Sequence, residues 1–582
     1  MILKALYDYY YHNNELPKKG IEFKEIGYLI IIKENGTFVR LESRMIDKKT
    51  ASSFCVLKSV IRSGKNYVPN FFWDNYEYII GGNEESQKKL NTFKILVQKY
   101  NKILPENRDI NAISLFYKNY ENIEDIIKDD ILFQEIKKSK KNISFLVEGS
   151  TTIIAENEEI INSVLQNKEI SSTSNRCLIT GNKSSIARLH TKITLNKKNP
   201  GALVALQKSQ GYDSYGKQQG LNAPISDDAE FAYTTALNYM LRSESRNKFQ
   251  IGNRTFLFWA SNNNEAGKQV EESIWNLFGF NDTKEDDPNK NIENVRKVFN
   301  SIYSGEIRTT LEDKFYILGL APNAARIAVT YWAEIPLADF AKLIKRHFDD
   351  MDIIDCRKVQ KPYMGLHSIL SSVTLKGQIY GDDSKLIPNL PEAVVKSIFQ
   401  GIPYPQTLYA SCIRRIHAET SNEDKDKDEK NMKKNAISIT RAAIIKAYLN
   451  RLNNTEQKIT FMLDKTNTNQ GYLCGRLFAV LDKIQGDANN QHSIKERYMN
   501  AASTTPATVF STILNLSVHH SENLKEGRKI FFEKIKQEII EKIDSNGFPT
   551  HLDLQDQGRF FVGYYHQIQS FYNTNEEQPE NR

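Results

Sequence analysis

Sixteen residues, Glu419–Lys434, divide this chain into two kinds of sequence. They hold six acids and five lysines, with Met432 as the one large apolar residue. Such a stretch cannot bury enough surface to offset its ordering entropy, so it predicts a mobile linker. Before it, β-former runs recur at Tyr28–Ile32, Thr255–Ala260, Phe315–Leu320 and Ile327–Trp332. Asn35-Gly36, between Tyr28–Ile32 and a second run Thr37–Leu41, predicts a hairpin with a type I′ turn. Glu265–Phe278, Ala338–Phe348 and an opening segment carrying Ile2, Leu3, Leu6, Tyr9 and Tyr10 predict helices. After the run the apolar period is helical throughout. Ile445, Tyr448, Leu449 and Leu452 keep it, as do Leu473, Leu477, Val480, Leu481 and Ile484, and then Phe532, Ile535, Ile539 and Ile543. The expectation is an α+β protein, with a mixed α/β N-terminal two-thirds followed by a C-terminal helical bundle. Its regions are 1–250 (α/β), 251–418 (second α/β), 419–436 (charged linker) and 437–582 (bundle).

A length of 582 residues accommodates roughly three to five domains. Cys55, Cys177, Cys356, Cys412 and Cys474 are scattered without a CxxC pair, which points to reduced thiols in a cytosol rather than disulfides or a zinc knuckle. The N-terminus lacks the long apolar core of a signal peptide, and no stretch approaches 18 apolar residues. A cytoplasmic protein without a membrane partner is expected.

Net charge is only +7, so any nucleic-acid surface must be local. Two segments qualify. From Arg176 to Lys217 there are eight bases (Arg176, Lys183, Arg188, Lys192, Lys197, Lys198, Lys208 and Lys217) against one acid, Asp213. Gly181, Gly201, Gly211, Gly216 and Gly220 leave the backbone free to approach a ligand. Lysine and arginine beside Gly, Asn and Gln suit a polyphosphate backbone and base edges. From Arg40 to Lys65 there are seven bases (Arg40, Arg44, Lys48, Lys49, Lys58, Arg62 and Lys65) against Glu42 and Asp47. The turn Ser63–Tyr67 then leads to Pro69–Asn75, and Phe71, Phe72, Trp73 and, just beyond, Tyr78 read as core residues before base-stacking ones. Lys65, Asn66 and Asn70 suit solvent and ligand equally.

The sequence offers little catalysis. His347, Asp349, Asp350, Asp352 and Asp355 form the most metal-like cluster, yet they read more simply as the charged end of an amphipathic helix. Adjacent His519 and His520 point about 100° apart on a helix and rarely share one ion. GxxxxGK[ST] does not occur. No catalytic residue, metal or cofactor is expected.

The wording of several blocks resembles one family. CLITG (Cys177–Gly181), SSIARLH (Ser184–His190), SYGKQQGLNAPIS (Ser214–Ser226) and FAYTTALNYML (Phe231–Leu241) are similar to the large subunit of the type I-C CRISPR surveillance complex, Cascade. The likeness extends in order from MILKALYDYY at the N-terminus through VPNFFWDNYEYIIGG (Val68–Gly82), FYILGLAPNAARIAV (Phe315–Val329) and RAAIIKAYLNR (Arg441–Arg451). It closes with GYLCGRLFAVLDKIQ (Gly471–Gln485), ERYMNAASTTPATVF (Glu496–Phe510) and FPTHLDLQDQGRFFVGYYHQ (Phe548–Gln567).

The resemblance implies a subunit that reads a short motif flanking the target in duplex DNA, while the guide RNA reads sequence by pairing. Such subunits approach the motif from the minor groove with Gly-rich loops, a lysine and amide side chains, which suits that groove's few acceptors. Two loops have this composition. Lys65, Asn66 and Asn70 in and after the SGKNY turn, and Lys217, Gln218, Gln219 and Asn222 in the KQQGLN loop, become the candidate motif readers. Arg40, Arg44, Lys58, Arg62, Lys183, Arg188, Lys192, Lys197, Lys198 and Lys208 become candidate phosphate contacts. Implied partners are the CRISPR guide RNA, double-stranded target DNA, the backbone and repeat-handle-binding subunits, and the effector helicase–nuclease. A small subunit started inside the same gene is implied too. Of Met432, Met462 and Met499, Met462 is the candidate start, because it precedes the apolar stripe at Leu473–Ile484 and retains three amphipathic segments. Two alternatives stay open: a large subunit with its own metal-dependent nuclease, and a purely structural scaffold.

Overall fold

The computed structural model describes residues 1–573 except 48–49, 61–66, 167–173, 196–199, 207–215, 243–244, 252, 263, 278–287, 325, 357–362, 378–385, 422–435, 453–456 and 490–492. It is an α+β protein, as expected from the sequence, with two compact units. The first comprises Met1–Ile193 and Ala202–Tyr239, the second Thr194–Gly201 and Met240–Arg582.

The first unit is organised by one long strand, β1 (Ile21–Ile32). Its first half pairs antiparallel with β3 (Ser53–Leu57), and its second half lies between β2 (Phe38–Ser43) and β5 (Asn142–Val147). β5 runs parallel to β1, and the short β4 (Trp73–Asp74) pairs with its far side. Both faces of this strand are covered, so Ile26 and Tyr28–Ile32 are all buried. Tyr28, Ile30 and Ile32 pack with Phe93, Val97, Ile113 and Phe116 of helices Glu84–Ile103 and Arg108–Asn119. Ile26, Leu29 and Ile31 face Val56, Trp73 and Ile153 on the other side.

The β1–β2 hairpin is present, but its turn differs from the expected two-residue type I′. Lys33 and Thr37 close a three-residue loop, Lys33 N–H donating to Thr37 O at 2.9 Å, with only Gly36 left-handed (φ +78°). Asn35 needs no positive φ because its side chain accepts the Thr37 N–H at 3.0 Å. A Cβ at position 36 would lie 2.4 Å from the Phe116 nitrogen, so glycine is required twice over.

In the second unit, β8 (Lys248–Ile251), β9 (Arg254–Ala260), β10 (Lys314–Asn323) and β11 (Arg326–Pro336) form an antiparallel sheet in the order β11-β10-β9-β8. Phe256, Phe258, Phe315 and Ile317 share one apolar cluster with helix Leu337–Met351, whose Phe340 stacks on Phe315 with centroids 4.5 Å apart. The same apolar cluster continues into the C-terminal helices. Helix Ile439–Arg451 is buried nearly all round rather than along one stripe. So is Gly471–Asp482 in helix Gln470–Asn489, and a helix apolar on every side belongs inside a core.

Helices Gln470–Asn489 and Leu554–Ser570 cross through glycines. A Cβ at Gly475 would lie 1.9 Å from Phe560 O, and one at Gly563 2.3 Å from Tyr472 O. The charged run keeps anchored ends. Arg441 donates to the Glu419 carboxylate (2.8 Å from Nη2) and to Ala436 O (2.7 Å), and the intervening residues 422–435 lie outside the described set. Met462 is half-buried between helices Ile439–Arg451 and Gln470–Asn489, packed against the apolar cluster.

Candidate nucleic-acid interface

The base-rich central segment folds onto the start of helix Asp227–Met240. β6 (Ser174–Arg176) and β7 (Lys183–Ser185) form a short hairpin, Arg176 opposite Lys183, whose turn needs Gly181 at φ +75°. Leu178 N–H donates to Pro224 O and Ala187 N–H to Ile225 O, each at 2.9 Å, so residues 177–187 lie alongside 224–226. Cys177 is buried at this junction. Burial pushes its thiol up, but hydrogen bonds from Ser226 and Thr180 outweigh that and bring it to about 7.

The KQQGLN turn packs on this frame at one point. A Cβ at Gly220 would stand 2.1 Å from Ala187 O, so only glycine permits the approach. Gln219 is left-handed (φ +46°), and its Oε1 accepts from Arg188 Nη1 at 3.0 Å. The Asn222 amide donates to Lys217 O (3.1 Å) and Gln219 O (3.2 Å), closing the turn on itself. Two of the four candidate readers here are therefore braces, while Lys217 and Gln218 project as exposed side chains. Arg176, Lys183, Arg188 and Lys192 are exposed too.

Acids at the helix start hold the frame together. Asp227 accepts from the Ser185 hydroxyl at 2.6 Å. Asp228 accepts from Tyr11 Oη at 2.7 Å and pairs with Lys19 at 3.2 Å. Glu230 accepts the Thr191 N–H at 2.6 Å and pairs with Lys58 at 3.3 Å. Sequence reasoning passed over these acids. The available signal was their position, Asp-Asp-Ala-Glu directly behind a segment nearly free of carboxylates.

The N-terminal candidates are placed differently. Arg40 is exposed and Arg44 half-buried, and both pair with Glu42, at 3.0 and 2.6 Å. Lys58 lies over the Phe231 ring with only 22% of its side chain exposed. Asn70 is buried, its Oδ1 accepting the Val60 N–H at 2.9 Å, so its amide braces the chain instead of facing solvent. Phe72, Trp73 and Tyr78 are core residues. Arg62, Lys65, Asn66, Lys197, Lys198 and Lys208 lie outside the described residues.

The metal-like cluster disperses. His347 is fully buried between Tyr404 Oη (2.7 Å) and Met364 O (2.9 Å). Asp349 pairs with Lys345, Asp350 with Arg451, and Asp352 with Arg296. Among the described residues no three His, Cys, Asp or Glu side chains gather as a metal would require, and no helix is long and apolar enough to cross a membrane.

None of the curated proteins matches the chain. The model of the CRISPR-associated protein family Csd1 matches residues 6–572. The chain therefore belongs to that family, the one whose blocks its sequence carries, and is a Cascade component of type I-C.

Proposed function

We propose that this chain is the motif-reading large subunit of its surveillance complex, and that the surface around the KQQGLN turn contacts the DNA flanking the target. One observation carries the reading. Gly220, Asn222 and Gln219 are spent on holding the turn, which leaves one lysine and one amide, Lys217 and Gln218, exposed in a segment whose Arg176, Lys183, Arg188 and Lys192 are exposed as well. A lysine and an amide suit the sparse acceptors of a minor groove, and the other exposed cations suit phosphates. In this role the subunit works beside guide RNA and the other Cascade subunits, supports opening of the duplex, and offers a surface for the effector helicase–nuclease. No step of this role asks the chain for catalysis of its own.

The test is binding of the assembled complex to duplexes with correct and incorrect flanking motifs. Replacing Lys217 and Gln218 together by Ala should reduce the affinity ratio by a factor matching roughly 1–3 kcal/mol, the usual cost of one mismatched pair. An undiminished ratio would remove this loop as the reader. If the parent complex itself bound both duplexes equally, the scaffold alternative would stand.

A further inference from the structure

Glu230 is 6% exposed in the first turn of helix Asp227–Met240, and its two oxygens serve different stretches of chain. One takes the Thr191 N–H at 2.6 Å, and the other pairs with Lys58 at 3.3 Å. Thr191 follows His190, whose Nδ1 lies 2.5 Å from Tyr233 Oη on the same helix. Arg188, two residues earlier, grips Gln219 of the KQQGLN turn. On the other side, Lys58 directly follows β3, and its own N–H donates to Gly20 O at 2.8 Å, just before β1. A single buried carboxylate thus ties the base-rich segment to the end of the N-terminal sheet.

We propose that Glu230 is a positioning residue of the DNA-contacting surface, and that Lys58 acts through Glu230 rather than on a phosphate. A carboxylate this enclosed is stable only while its partners are in place, since losing one leaves an unpaired charge out of water. The ammonium that satisfies it also lies on the Phe231 ring, which leaves it little freedom to reach a phosphate. Releasing Lys58 frees Glu230 to turn away from Thr191. The Arg188–Thr191 stretch then loses its fixed position under Gln219, and the displayed pair Lys217–Gln218 loses its aim.

This inference rests on the reading above, and the experiment separates the two. Affinity of the assembled complex for correct and incorrect duplexes is measured across a salt series for K58M, K58R, E230Q, the K58M/E230Q double variant and the K217A/Q218A pair. A residue on a phosphate contributes about 0.9 to the slope of log affinity against log salt. The expected result is that K58M leaves the slope at the parent value but lowers the correct-to-incorrect ratio about fivefold or more. K58R, which keeps the ion pair, should retain the ratio, and E230Q should lose it without adding to K58M in the double variant. A slope reduced by about one unit in K58M with the ratio intact would make Lys58 a phosphate contact and overturn the proposal. An intact ratio in K58M and E230Q alongside a lost ratio in K217A/Q218A would overturn it while sparing the reading. Intact ratios in all variants would overturn both. Should E230Q fail to fold, the contrast between K58M and K58R still decides.

Discussion

In the 174–226 segment, Lys183, Arg188, Lys192 and Lys217 are exposed, and the turn that follows Lys217 is seated by Gly220. In the C-terminal helices, Arg451, Arg476 and Arg559 have side chains at most 4% exposed, among helices seated by Gly475 and Gly563. Both regions combine basic residues with glycines, yet their cations have opposite fates. Arg451 pairs with Asp350 at 2.5 Å and donates to Ser397 O and Ile402 O, and Arg476 bonds Gln567 and Glu538, so these charges are consumed internally. Directly behind the central segment, the acids Asp227, Asp228 and Glu230 are consumed instead, by Ser185, Tyr11, Lys19, Lys58 and a backbone N–H. The exposed cations of the segment are left facing water. Basic content therefore does not mark a nucleic-acid surface by itself. The two regions differ in whether the acids beside the cations are already occupied.

The largest expected effect tests the buried side of that contrast. Arg451→Met should cost about 3–5 kcal/mol in urea denaturation, because Asp350 and two carbonyls lose their donor. Lys217→Met should stay within about 0.5 kcal/mol. Equal losses would erase the distinction.

The glycines sharpen it next. Gly475→Ala should destabilise the second unit by about 3 kcal/mol, since the added carbon meets a carbonyl on a packed helix. Gly220→Ala meets the Ala187 carbonyl in an otherwise exposed turn. It should cost less in thermal unfolding than Gly475→Ala while degrading motif discrimination. Unaffected discrimination would mean that the turn's seat does not matter to reading.

The smallest effect is on pH. Burial holds the His347 ring at about 4, below the ordinary histidine value. The unfolded chain takes up that proton first, so the folded state is fully favoured above about pH 6.5 and loses stability as pH falls towards 4. At pH 5 the loss should be about 2 kcal/mol, and His347→Gln should flatten the acid limb of a stability–pH curve. An unchanged limb would assign the acid sensitivity to other groups.

Strands with dense β-former runs were legible because the apolar pattern is local: β9, β10, β11 and the β1–β2 hairpin fall where Thr255–Ala260, Phe315–Leu320, Ile327–Trp332 and Asn35-Gly36 place them. β5 was not, since nothing in Asn142–Val147 announces a parallel partner at Ile26–Ile32, more than 100 residues earlier. At the interface the count of bases was legible, whereas the direction of each side chain was not. Gln219, Asn222, Asn70 and Lys58 look identical in sequence to residues that face a ligand. They turn inward because Arg188, Lys217 O, Val60 and Glu230 are waiting for them, and those meetings exist only in three dimensions.

The grip of Arg441 on both Glu419 and Ala436 has a practical side. Because one guanidinium holds the two ends of the charged run, the distance to be spanned is fixed by the core and not by the run itself. Closing a longer loop between fixed ends costs only about 0.6 kcal/mol for each doubling of length. An affinity tag or a protease site inserted between Glu419 and Ala436 should therefore cost little stability so long as Arg441 keeps both partners. Arg441 is what makes the chain divisible there.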